Sequence, residues 1–449
     1  MDNDDRFLGI AGAAIERAAR FGAGMAEAYI SRGKELSIEV REGRVETLKL
    51  AEDRGLSVRV MRGGSTGFAF TTDLSPAGVE EVARQAVFNS ENTAVDPYNR
   101  LPAPGERDQA LDLYDPRIRN ATVEEKIAMA KAMEEAARAY DPRIRAVESS
   151  VYQDGEAAVT LVNSLGIAKS YRGGYCGIYL ALAAGEGEES QTGFALNYRL
   201  KYGALNPAET GQEAARRAVR MLGARPVQTR RAAVLLDPCV ATGFLGLIGP
   251  ALTGEAVQKG RSLFAGKAGS AVAADTITII DDGARPDGIA SAPFDGEGVP
   301  TSRTVLIKDG VLQGFLYNTY TAAKDGVQST GNGVRGSFKG APEVGVTNFY
   351  IASGAVHPEQ LIKEVGDGFY VTEVMGMHTA NPISGDFSVG VAGLLIENGE
   401  LGRPVRGAAM GGNILELLKN IDGVGNDLRF YGGRGSPTLR INEMTISGQ

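Results

Sequence analysis

Glycine punctuates this chain more than any other residue, and its placement limits the folds open to it. Of 449 residues, 60 are glycine, about 13% against a usual ~7%. No Gly-X-Y period accompanies them, so a collagen-like helix is excluded. They fall between short runs of alternating or β-branched residues, the layout of hairpins and turns. Gly63-Gly64 separates GLSVRVM from TGFAFTT, while KDG (308–310) and ENG (397–399) interrupt SRTVLIKDGVLQGFLYN and AGLLIENGELG. Such sequences supply the positive φ of tight hairpins. With DTITIIDD, TNFYIASG and GFYVTEV, they predict a β-rich barrel or sandwich for the second half.

The first half alternates helix and strand signals. Phe7, Ile10, Ala11, Ala14, Ile15 and Ala18 recur at helical spacing. AEAYISRG and ELSIEVREGRVETLKL then alternate as strands, and Ser75-Pro76 opens a second helix. Residues 92–121 read as a loop. Thr122-Val-Glu-Glu125 is a capping box for a helix ending before Asp141-Pro142, strands follow from 145 to 200, and Asn206-Pro207 opens a helix closed by Gly223. A chain past ~250–300 residues usually divides. We expect an α+β fold of two domains. Residues 1–226 place helices on an antiparallel sheet, in sub-units 1–91 and 122–223. Residues 227–449 form the β-rich domain, and ARPVQT (224–229) is the linker.

The net charge of −8 is spread along the chain. Arg216-Arg217 with Arg220 reads as a solvated helix face, so no nucleic-acid partner is expected. Two cysteines, Cys176 and Cys239, give no disulfide framework. The opening MDNDDRFLGIAGAAIERAARFG lacks the basic start of a secretory signal. No apolar run reaches the ~18 residues of a membrane span. These features fit a cytoplasmic protein.

Residues able to do chemistry are sparse. Zinc takes three or four His, Cys or carboxylate ligands, and the chain has two histidines, His357 and His378. Asp281-Asp282 precedes Gly283 and reads as a turn. Cys239 follows Pro238 where a strand gives way to a helix, a place that can lower a thiol pKa. With His378 it could form a nucleophile–base pair; a buried structural thiol is the alternative. STGNGVRG (329–336) could offer backbone N–H groups and Arg335 to an anion, or be a plain hairpin loop. GFLGLIGPALTGEAVQKGRSLF (243–264) runs from an apolar half through Pro250 to a polar end, with Glu255 its one carboxylate.

SAPFDGEGVPTSRTVLIKDGVLQGFLYNTYTAAK (291–324), STGNGVRG, TNFYIASG (347–354), NPISGDFSVGVAGLLIENGE (381–400) and LVNSLGI (161–167) together resemble the TldD/PmbA family over nearly the whole chain. The resemblance implies a two-domain fold with a β-rich C-terminal domain. It also implies one of two branches. The TldD branch carries H-E-x-x-x-H and a later Cys, the ligands of a zinc peptidase. The PmbA branch, also called TldE, lacks them. The two pair as a heterodimer that degrades unfolded or small peptides, and the family was first described through DNA gyrase control and peptide-antibiotic maturation.

Aligned on GRSLFAGKAG (260–269), the motif histidines fall at Leu245 and Pro250 and its Glu at Gly246, and RFYGGRGSPTLR (429–440) has no Cys. The resemblance therefore implies a PmbA-type subunit with no zinc and no catalytic residue of its own, the zinc residing in a TldD-like partner. Asn332, Arg335, Asn381 and Asp386 are candidate peptide contacts, since they sit in glycine-rich loops; turn stabilisation is the alternative role for each. A homodimeric peptide- or anion-binding protein, or a hydrolase using Cys239 and His378, are the other readings. Histidines five apart point about 140° from each other on a regular helix. A zinc-binding sibling needs a distorted turn there, and Pro250 suggests that an irregular backbone persists across 241–256.

Overall fold

The computed structural model describes residues 2–105 and 109–448, with side chains from residue 5 onward. The first half runs α1 (Asp2–Arg20), β1 (Met25–Arg41), β2 (Arg44–Arg62), β3 (Ser65–Thr71), α2 (Pro76–Ser90), α3 (Pro116–Asn120), α4 (Val123–Tyr140), β4 (Ile144–Asn163), β5 (Ala168–Glu186), β6 (Glu189–Arg199) and α5 (Pro207–Val219). The second half starts with β7 (Arg230–Leu236), α6 (Pro238–Ala251), α7 (Gly254–Gln258), β8 (Ile279–Asp282), β9 (Arg303–Lys308), β10 (Val311–Leu312) and α8 (Thr319–Asp325). It continues through β11 (Gly333–Val334), β12 (Glu343–Val344), β13 (Phe349–Ile351), α9 (Pro358–Val365), β14 (Gly368–Met375), β15 (Asp386–Glu397) and β16 (Glu400–Asn413). It closes with α10 (Ile414–Lys419), β17 (Ile421–Val424), β18 (Arg429–Tyr431), β19 (Arg434–Ser436) and β20 (Leu439–Ser447).

The helix starts follow from side-chain oxygens meeting orphan backbone donors. Ser75 Oγ accepts from Gly78 N at 3.2 Å, and Asn206 Oδ1 from Glu209 N at 3.1 Å. At α4 both capping-box bonds form: Glu125 N donates to Thr122 Oγ1 at 3.2 Å, and Thr122 N to Glu125 Oε2 at 2.7 Å. The KDG and ENG turns place Asp309, Gly310, Asn398 and Gly399 at positive φ, as their hairpins require.

One six-stranded antiparallel sheet, ordered β3-β2-β1-β4-β5-β6, carries the first half. Successive side chains of a strand face opposite ways, and the two faces have different tasks. Ala28, Ile30, Val58 and Val60 pack under α1 and α2, and Leu36, Ile38, Ile178 and Leu180 under α4 and α5. On the other face Tyr29, Val159 and Leu161 cluster with Phe294 and Phe338 of the second half. The sheet is thus covered by helices on one side and by the C-terminal half on the other.

In the second half, β7, β14, β15, β16 and β20 form a closed barrel, sealed where Ala409 and Met410 of β16 pair with Ser447 and Ile446 of β20. A second sheet, β10-β9-β8-β13-β19-β18, lies beside it. The α+β architecture is the one expected, with the barrel-or-sandwich alternative decided by closure.

Three expectations change. Residues 92–121, read as a loop, carry the short helix α3, whose start Asp115 caps. Asp281 and Asp282 end strand β8 rather than forming a turn, and Asp281 is buried. Partners far along the chain, Asn332 and Thr347, hold the Asp281 carboxylate, and local turn chemistry cannot reveal them. Arg217 is buried rather than solvated, pairing with Glu213 at 2.8 Å and lying 3.7 Å from Asp237. Helix α5 turns that arginine toward the C-terminal half, while Arg216 stays exposed.

Candidate functional site

Helix α6 begins where Asp237 accepts a hydrogen bond from Cys239 N at 3.0 Å, with Pro238 in the first turn. Val240, Ala241, Phe244, Leu245 and Ile248 are buried and anchor it in the C-terminal core. Leu245 is thus a core residue, whereas Pro250 is exposed.

The helix runs from Pro238 to Ala251, and the irregular backbone expected across 241–256 lies at its end. The break comes afterwards: Leu252 N is shared between Ile248 O and Gly249 O, and Thr253 caps α7 by accepting from Ala256 N at 3.2 Å. Pro250 has no N–H for the Gly246 carbonyl, but only one residue of helix follows it. Its ring therefore falls in the last turn, where a proline disturbs least.

Gly246 faces an arginine. A Cβ built on it lies 3.0 Å from Arg434 Nη1, the far end of an exposed side chain. Arg434 belongs to the RFYGGRGSPTLR segment. Leucine, glycine and proline supply no ligand atom at 245, 246 and 250. These residues do not fit a zinc ion. Among the described residues no three His, Cys, Asp or Glu side chains are grouped to hold a metal.

The end of α6 borders a cavity of about 640 Å³. Gly249, Pro250 and Thr253 form one wall, Val344 and Val346 the second, and Pro382 and Ile383 the third. The lining is mostly apolar, with the Lys259–Glu255 pair (2.6 Å) and Arg261 at one end. The groove therefore gathers three segments far apart in the chain.

Two of the candidate peptide-contact residues hold its walls. Asn332 is buried; its Nδ2 donates to Gly345 O (3.0 Å) and Asp281 Oδ2 (2.7 Å), and its Oδ1 accepts from Thr330 Oγ1 at 2.6 Å. It thereby fixes the 344–346 wall. Asn381 Oδ1 accepts from Ile383 N at 2.9 Å and Ser384 N at 3.2 Å, fixing the opposite wall. Asp386 accepts from Asn413 Nδ2 (2.9 Å) and Ser384 Oγ (2.7 Å), which in that order hold its carboxyl below the usual range. Arg335 lies elsewhere, in the seam between the halves. Its Nη2 pairs with Glu27, its Nε donates to Gly296 O at 2.6 Å, and its side chain is about 1% exposed.

Loss of the Asn332 amide leaves the buried Asp281 carboxylate short of a donor. Asn332→Ala should cost ~1–3 kcal/mol, and Asn332→Asp more, since it sets a second carboxylate against Asp281. Denaturant midpoints of the two variants check both magnitude and order.

Cys239 and His378 do not form a pair. Burial first, and then the charge of Asp237, push the Cys239 thiol up, outweighing Arg217 and any lowering from the helix start. His378 is exposed in a short turn, Met377–Thr379, and no hydrogen bond joins it to Cys239 among the described residues. His357 is the first flanking residue of α9, exposed and without a capping bond.

Sequence reasoning missed Arg434 and a buried network in the seam. Arg59 Nη2 bonds Glu27 Oε2 at 3.0 Å and Glu297 Oε1 at 3.1 Å. Glu27 and Arg59 are direct cross-strand partners; only Glu297, far along the chain, gave no signal. No helix among the described residues is long and apolar enough to cross a membrane.

Comparison with known proteins places this geometry. Residues 26–90 match the model of PmbA/TldA metallopeptidase domain 1, residues 116–222 that of the central domain, and residues 229–448 that of the C-terminal domain. The metalloprotease PmbA of Escherichia coli O157:H7 is 31% identical over 433 residues, covering 94% of this chain and 92% of that protein. A Thermotoga maritima crystal structure, described as a candidate modulator of a DNA gyrase, superposes with a TM-score of 0.92 at 28% identity, covering 98% of this chain and all of that one. TldE from Thermococcus kodakarensis shares the fold at a TM-score of 0.90 and 24% identity, over 98% of this chain and 100% of that one. The chain belongs to the PmbA/TldD metallopeptidase family.

Proposed function

We propose that this chain is a PmbA/TldE-like subunit of a cytoplasmic zinc metallopeptidase complex acting on unfolded or small peptides, with the zinc held by a TldD-like partner. The observation that carries this reading is that Leu245, Gly246 and Pro250 bring no ligand atom to α6, in an otherwise intact family scaffold. A metallopeptidase needs a Lewis acid and a base beside it. Here the equivalent helix offers a buried leucine, a glycine under a guanidinium, and a proline. The residues that remain bind and shape: the groove's apolar walls can take peptide side chains, and Asn332 and Asn381 keep those walls apart.

An exposed edge suits a subunit role. The outer arm of β2 pairs only with β1 among the described residues, and Val45, Leu48 and Leu50 on it are 42%, 49% and 54% exposed. A free edge carrying apolar side chains invites a second chain. A homodimer would use the same edge.

The test is zinc content and peptide cleavage for the purified chain, alone and co-expressed with a TldD-like protein. We expect neither stoichiometric zinc nor cleavage from the chain alone, and both from the co-purified pair. Stoichiometric zinc with peptide cleavage by the isolated chain overturns the reading.

A further inference from the structure

The helix-covered face of the first sheet is not apolar throughout. Along β1, Ala26, Ala28 and Ile30 serve one core and Leu36, Ile38 and Val40 another. Between them, on the same face, stand Arg32 and Lys34. Helices α1 and α2 cover the first core and α4 and α5 the second, which leaves a furrow of about 680 Å³ over this polar stripe.

The floor of the furrow is a cationic row. In register across four strands lie Arg54 (β2), Arg32 (β1), Ala158 (β4) and Arg172 (β5). Arg119, in α3, also lines the furrow. Arg32 faces Arg54 across the strands. Ala158 leaves the middle of the row low; the Arg32 guanidinium lies over the Phe7 ring of α1, 3.7 Å from its centroid, and that of Arg172 lies 5.1 Å from the Tyr114 ring.

Two of the three nearby acids are paired with a lysine, and the third takes a neutral hydroxyl. Glu52 pairs with Lys34 at 3.2 Å, Asp53 with Lys339 at 3.5 Å, and Glu156 accepts from Tyr114 OH at 3.3 Å. Among the described residues no carboxylate lies within 4.0 Å of the Arg54, Arg119 or Arg172 guanidinium groups. With strands ~4.8 Å apart, Arg54 and Arg172 stand roughly 14 Å from each other at the backbone. That span exceeds one phosphate but suits linked phosphoryl groups held by arginine forks from both sides.

We propose that this furrow binds a ligand carrying two or more linked phosphoryl groups, as a free oligophosphate or as part of a nucleotide. The site lies on the sheet face opposite the C-terminal half, so it stands apart from the groove at α6.

Calorimetric titration of the full chain with tripolyphosphate, ATP without metal, and a polyglutamate peptide tests it, at low and at physiological ionic strength. We expect one saturable site for tripolyphosphate, weakened by salt. Arg54→Gln and Arg172→Gln should each weaken it ~tenfold or more, the loss of a charged hydrogen bond, and together abolish it. Both residues are exposed, so the variants should keep the parent thermal transition; Arg303→Gln, on the second sheet, should bind as the parent does. Equal binding of ATP and tripolyphosphate supports oligophosphate recognition alone, and tighter ATP binding supports a nucleotide. No saturable site, binding unchanged in the double variant, or tighter binding of polyglutamate overturns the proposal.

Discussion

Replacing Glu297 by alanine should destabilise the protein by ~3–5 kcal/mol, the usual result of stripping one partner from a buried ion pair. Glu297 is fully buried. One carboxylate oxygen accepts from Arg59 Nη2 at 3.1 Å and the other from Thr319 N, at the start of α8, at 2.7 Å. Alanine leaves both donors in a medium where water cannot replace the lost acceptor. Arg59 keeps Glu27, so the positive charge is half compensated and the cost should stay within that range. The double replacement Arg59→Met with Glu297→Leu removes charge from both sides and should be milder than Glu297→Ala alone. Urea midpoints of the single and double variants decide the matter; a loss below ~1 kcal/mol for Glu297→Ala would mean that water reaches the seam.

Asp295 should contribute stability that is lost as pH rises from about 4 to about 7. Burial first, and then the neighbouring Glu297 charge, push its pKa up to about 7. Its carboxyl accepts from Glu297 N, Val299 N and Gly333 N, which oppose the rise without cancelling it. The folded state therefore holds a proton on Asp295 that the unfolded chain has released. A pKa raised on folding gives a contribution complete below the unfolded value and lost on the way up to the folded one. Buried Asp281 is also pushed up, chiefly by burial, and adds in the same direction. A tenfold difference in proton affinity between the folded and unfolded chain is worth ~1.4 kcal/mol. On that scale Asp295→Asn should flatten the decline between pH 4 and 7 by a few kcal/mol, and Glu297→Gln should shrink it by bringing Asp295 down. Thermal unfolding across that pH range measures both slopes; a slope in Asp295→Asn equal to the parent's assigns the effect elsewhere.

What can be read from the sequence is local. The capping box at Thr122, the cap at Ser75 and the hairpin turns at Asp309-Gly310 and Asn398-Gly399 each depend on residues a few positions apart, and each forms as expected. The apolar period of β1 likewise foretells which face meets helices. Asp281 reads as a turn because a short strand between glycine-rich segments carries the same residues as one. Arg217 reads as solvated because helix periodicity does not say which domain a polar face meets. The site is legible as a segment, 243–264, but its partner Arg434 is not. Nothing near position 246 announces that an arginine almost two hundred residues later will lie beside it. Asn332 and Asn381 stand out as loop residues, yet their part in holding groove walls requires the fold to show what each amide touches.

Barrel closure also bears on how the chain is made. Strand β7 is hydrogen-bonded on one side to β14 and on the other to β20, and both leave the ribosome after it. Until then its Val234-Leu235-Leu236 run has no sheet partner, although all three are fully buried at the end. Pairing over such sequence distances is slow, and a waiting apolar strand is where chains stick to one another. The C-terminal half should therefore be the stage of synthesis at which a chaperone matters most, whereas the first sheet, whose strands are all made before β7, can assemble on its own schedule.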